Sequence, residues 1–139
     1  MALIKSDIIQ LECIVESAFA FLHDLNNLQQ LLPEEKLEKW SATKSDCTFC
    51  IKGLPSISLH RQASIEPSSI TLVTIDKKPV ELQMMFYLEK SESGQSILRA
   101  EIDASVNPFM MNMVKQPLTN FLNGLGEKLK EVLRDNPVS

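Results

Sequence analysis

Apolar residues recur at every second position through most of residues 37 to 106, and at every third or fourth position from residue 108 onward. The first period belongs to strands with one dry face, the second to a helix with one dry stripe. Such a chain must lay one long helix against an antiparallel sheet, because each surface needs the other as its cover. Turn signals at Lys44-Ser45-Asp46, Gly53-Leu54-Pro55, Glu66-Pro67-Ser68, Asp76 to Pro79 and Ser91 to Gly94 divide Leu37 to Val106 into six strands. Their dry faces read as Phe49 and Ile51, Ile57 and Leu59 with Ala63 and Ile65, Leu82, Met84, Phe86 and Leu88, then Leu98, Ala100, Ile102 and Ala104. Ser69 to Ile75 is apolar on both faces, so its inward side stays open.

Asn107 followed by Pro108 starts the helix, an N-cap residue and a first-turn proline whose missing N–H would have no partner there anyway. The helix is expected to run to about Arg134, with Met110, Met113, Val114, Leu118, Phe121, Leu125, Leu129 and Val132 on its dry stripe. Pro117 predicts a kink or two abutting helices, and Gly124 and Gly126 a looser turn beyond it. Before residue 37 the spacing predicts a strand over residues 3 to 13 with Leu3, Ile9, Leu11 and Cys13 on one side. A short helix capped by Ser17 follows, then a second capped by Asp24 and stopped by Pro33. The class is therefore α+β, seven strands and three helices in one domain over residues 1 to 139.

Fourteen Lys and Arg against eighteen Asp and Glu leave a net charge of −4, with no basic block to neutralise phosphates, which argues against a nucleic-acid partner. No run approaches the roughly 18 apolar residues of a spanning helix, and residues 1 to 16 do not read as a signal peptide, so no membrane span is expected. Three cysteines, an odd number, suggest free thiols in a reducing compartment and hence a cytoplasmic location.

The element order resembles the helix-grip fold of the SRPBCC superfamily, which includes START lipid-transfer domains and polyketide cyclases. Ser17-Ala18-Phe19-Ala20-Phe21-Leu22-His23-Asp24 is similar to the family's first helix, and Pro117-Leu118-Thr119-Asn120-Phe121-Leu122 to the last helix of its small bacterial members. The resemblance implies a curved seven-stranded sheet gripping the long helix, with an apolar cavity between them for a lipid, polyketide, sterol or quinone. Trp40, Phe49, Leu59, Met84, Phe86, Met110, Met113, Val114 and Phe121 would line that cavity, unless the same side chains simply fill a core.

Groups capable of chemistry are sparse. Cys47 and Cys50 have the spacing of a redox or metal pair, but on a strand residues three apart point to opposite faces, and Cys13 reads as a small core residue. His60 alternates outward, and His23 sits at a helix end beside Asp24. Glu101 and Asp103 alternate outward too. Arg61 shares the face of Ile57 and Leu59, where its guanidinium either holds a ligand carboxylate or phosphate or lies at a rim or bulge. Tyr87 and Met85 fall on the outer side of their strand, as surface pairs or a partner contact.

No catalytic residue, metal site or cofactor is assigned, and oligomeric state stays open. The expected function is binding or carriage of a small hydrophobic molecule. The alternatives are a polyketide cyclase or dehydratase type of enzyme, and a protein-interaction module with a filled core.

Overall fold

The computed structural model describes residues 2–32, 34–52, 56–76, 81–105 and 107–135. Strands β1 (Ala2–Lys5) and β2 (Ile9–Leu11) precede helix α1 (Val15–His23) and two 3-10 segments, Leu25–Leu31 and Glu34–Lys36. Strands β3 (Leu37–Ala42), β4 (Asp46–Ile51), β5 (Ile57–Ile65), β6 (Ser69–Thr74), β7 (Glu81–Lys90) and β8 (Ser96–Ser105) follow, and helix α2 (Pro108–Asp135) ends the described chain. All neighbours are antiparallel in the order β1-β8-β7-β6-β5-β4-β3, with β2 also on β8.

The six strands of the meander stand where the turn signals put them. Gly94, at φ 87°, takes the left-handed conformation that the β7–β8 turn requires. The turns at Gly53-Leu54-Pro55 and Lys77 to Pro79 lie outside the described residues. In β6 the open choice is resolved: Ile70 and Leu72 are buried, while Val73 and Ile75 face outward.

The first strand departs from expectation and raises the strand total to eight. From Ile102 to Leu98, β8 takes four steps, while its partner takes five, from Ile4 to Ile9. One extra residue reverses the side-chain parity, so Ile4 is 4% exposed and Leu3, expected inside, is 51% exposed. Ser6 bridges the break: its N–H donates to the Ala100 carbonyl (2.8 Å), and its Oγ accepts from the Ala100 N–H (3.0 Å).

Asp24 caps the first 3-10 segment, its carboxylate accepting from the Asn26 N–H (3.0 Å). Ser17 does not cap α1; the helix begins three residues earlier than that cap implies, at Val15 after Ile14, and Ser17 is buried within its first turn. Asn107 caps α2 as its sequence predicts, its Oδ1 accepting from the Met110 N–H (2.8 Å). Pro117 lies inside one continuous 28-residue helix rather than between two. No helix among the described residues is long and apolar enough to cross a membrane.

Candidate functional site

The concave face of the sheet is largely apolar. Phe49, Leu59, Ile70, Leu72, Met84, Phe86, Leu98 and Ile102 are buried there, and α2 sets Val114, Leu118, Leu122, Leu125, Leu129 and Leu133 into the same core. The buried polar side chains are Ser17 and Ser96, and among the described residues every buried side-chain N or O has a partner. An interior of this kind attracts hydrocarbon and repels charge.

Two seams join α2 to the sheet, and they are built differently. Along the first, α2 packs on β1, β2 and β8. Gly126 comes so close that a Cβ added there would lie 2.6 Å from Ile9 Cγ1. Three residues earlier, Asn123 Oδ1 accepts from the Asp7 N–H (2.9 Å), tying the helix to the broken edge strand. Along the second, the link is a row of rings. Trp40 on β3 lies 6.2 Å from Phe49 on β4, and Phe49 stacks on Phe121 of α2 at 5.9 Å with an interplanar angle of 14°. Trp40 and Phe121 are half-buried, so this seam borders solvent.

Of the residues expected to line a cavity, Phe49, Leu59, Met84, Phe86 and Val114 are buried in the core, and Trp40 and Phe121 lie half-buried at the second seam. Met113 is a correction: it is 61% exposed. Five positions before Leu118 at about 100° each put it roughly 140° around the helix, off the dry stripe. Met110 is half-buried outside the core packing, while Met111 packs against the core, and Leu122 and Leu133 are fully buried although the predicted stripe omitted them. Centring that stripe on Leu118 and Leu125 finds all three.

Arg61 pairs with Leu72 and keeps the inward side, but a bulge follows immediately. Gln62 is the extra residue, so Ala63 and Ile65, expected to share the face of Arg61, turn outward, and Ile65 is 67% exposed. The Arg61 guanidinium is already engaged at the rim. Its Nη1 donates to the His23 carbonyl at the end of α1 and to the Lys44 carbonyl (2.7 Å) in the β3–β4 turn. A cation suits the carbonyl end of a helix.

Apart from the buried Cys13 and Cys47, the remaining groups considered for chemistry lie away from the interior. His60 contacts Asp46 across the outer face of β4 and β5. The His23 ring stacks on Phe19 at 5.2 Å; partial burial, then the Arg61 charge, lower its pKa from the ordinary 6.5. Cys47 and Cys50 take opposite faces, as alternation requires. Burial pushes the Cys47 thiol up to about 12, while Cys50 donates to Glu38 Oε1 (3.5 Å) on the neighbouring strand. None of the three cysteines is in a disulfide, and no group of three or more metal-ligating side chains occurs among the described residues. Tyr87 donates to Met85 Sδ (3.3 Å) on the outer face, beneath the Arg99 guanidinium at 4.8 Å.

No family model matches the sequence, and comparison with curated proteins gives no match. Comparison with solved structures is informative about the fold. XoxI from Bacillus cereus superposes with a TM-score of 0.77 at 11% identity, over 97% of this chain and 97% of that one. A START superfamily protein from Mycobacterium smegmatis gives 0.75 at 12% identity, over 96% and 97%. Norcoclaurine synthase from Thalictrum flavum, in complex with a transition-state analogue, gives 0.76 at 9% identity, over 96% and 94%. The chain therefore has the START-like helix-grip fold. At these identities the likeness is one of fold, which hosts binding proteins and enzymes alike.

Proposed function

We propose that the protein binds a small, largely apolar molecule between the sheet and α2, as a carrier or sensor, with residues 1 to 139 acting as one domain in the cytoplasm. The observation that carries this reading is the contrast between an apolar interior with satisfied polar groups and the ring-lined seam beside it. A seam of side chains opens by rotamer changes, without breaking backbone hydrogen bonds. The fold's membership of both START-type and catalytic proteins supports a ligand-holding interior and leaves the ligand to be named. Three cysteines outside any disulfide, two of them buried, suit a reducing compartment.

Native mass spectrometry of the purified protein, followed by denaturing extraction, tests it. A stoichiometric apolar adduct is expected, with faster release from Phe121→Ala, which removes one ring of the seam. An apo mass together with no thermal shift across fatty acids, sterols and quinones would overturn the reading in favour of an interaction module.

A further inference from the structure

The apolar interior restricts what a ligand can carry inward. A charged group taken into it would lose its hydration with no partner in return, and Arg61, a cation on the inward side, is engaged by two backbone carbonyls. A charged end must therefore stay outside, where α2 and β3 leave a groove of about 280 Å³ lined by Gln29, Gln30, Leu32, Leu37 and Lys128. The groove continues the aromatic seam. Leu37 precedes Trp40 by three residues on β3, and both pack against the core. Lys128 follows Phe121 by seven residues on α2, about two turns along one flank. The groove thus offers an ammonium and two carboxamides at one end of the seam formed by Trp40, Phe49 and Phe121. Lys128 has no ion pair among the described residues.

Resting on the binding function above, we propose that the ligand is a single-chain amphiphile with a monoanionic head. The carboxylate sits in the groove against Lys128, with Gln29 and Gln30 as neutral donors, and the hydrocarbon runs past Trp40 and Phe121 into the interior. One lysine beside two amides matches one negative charge better than the two of a phosphate monoester.

Trp40 is the sole tryptophan, so its fluorescence reports occupancy of the seam directly. Dodecanoate and methyl dodecanoate would be titrated against the wild type, Lys128→Glu, Lys128→Gln and, as a control for net charge, Lys115→Glu. The wild type is expected to prefer dodecanoate. Lys128→Gln should weaken dodecanoate about fivefold or less, in keeping with a solvent-exposed pair. Lys128→Glu should weaken it further, while the ester is unchanged and Lys115→Glu has little effect. Equal or tighter ester binding by the wild type, or equal losses in Lys128→Glu and Lys115→Glu, would overturn the head-group site and leave the binding function standing. Failure of both probes together with a clean apo mass would overturn both.

Discussion

The two sides of α2 make opposite use of the same helix. Toward β1, β2 and β8 the contact is fixed by a glycine with no room for a methyl group and by a side-chain to backbone hydrogen bond across the broken edge. Toward β3 and β4 it consists of rings, two of them half-buried, beside a solvent groove. The helix is thus held along one flank by a close backbone approach and a hydrogen bond, and along the other by side-chain packing on the rings and on the Leu25–Leu31 segment.

The largest effect should come from the dry stripe that both seams share. Leu122→Ala is expected to lower stability by about 2–5 kcal/mol in urea denaturation, while Met113→Ala, on an exposed flank, should stay within about 0.5 kcal/mol. Equal losses would mean that α2 is rotated from the position described. Next comes the anchored seam itself. Gly126→Val must displace Ile9, and overpacking of that kind costs about 1–3 kcal/mol. Gly124→Ala meets nothing within 4 Å and should instead stabilise by up to about 1 kcal/mol through helix propensity. A destabilised Gly124→Ala, or a neutral Gly126→Val, would erase the distinction between the two glycines.

The smallest effect concerns the joint of α1 with the β3–β4 turn, at the rim of the looser side. His23 has its pKa lowered by burial and by the Arg61 charge. The unfolded chain therefore takes up the proton first as pH falls through 6.5, so stability declines below that pH and levels off once the folded form also protonates. Urea midpoints on either side of 6.5 should show this decline, and His23→Gln should flatten it. A wild-type midpoint that rises on acidification through this window would contradict the assignment.

Element order and most inward faces were legible in the sequence because they rest on local periodicity. The meander's strands, the Asn107 cap, the Asp24 cap and the outward Glu101 and Asp103 all follow from residue spacing. In the strands, what was not legible shares one cause, a shift of a single residue. Leu3 and Ile4 exchange faces because the edge strand has one residue more than β8 opposite it, and Ala63 and Ile65 turn outward because Gln62 is extra against β6. Such insertions depend on the partner strand, which the alternation of one strand cannot reveal. The site was half legible for a similar reason. Trp40, Phe49 and Phe121 were recognisable as apolar residues of adjoining elements, whereas the engagement of Arg61 and the Lys128 groove depend on segments remote in sequence.

The break at Ser6 to Ile8 has a further consequence when set beside the irregularity at the far end of the sheet, the register shift between Leu37 and Lys39. An open sheet has two borders of backbone donors and acceptors that a second molecule could extend into a growing fibril. Here one border is interrupted by a serine hydroxyl standing in for the main chain, and the other by a shifted register with Glu38 and Lys39 exposed. Neither offers a long straight template, so the strands have little means of recruiting one another into aggregates.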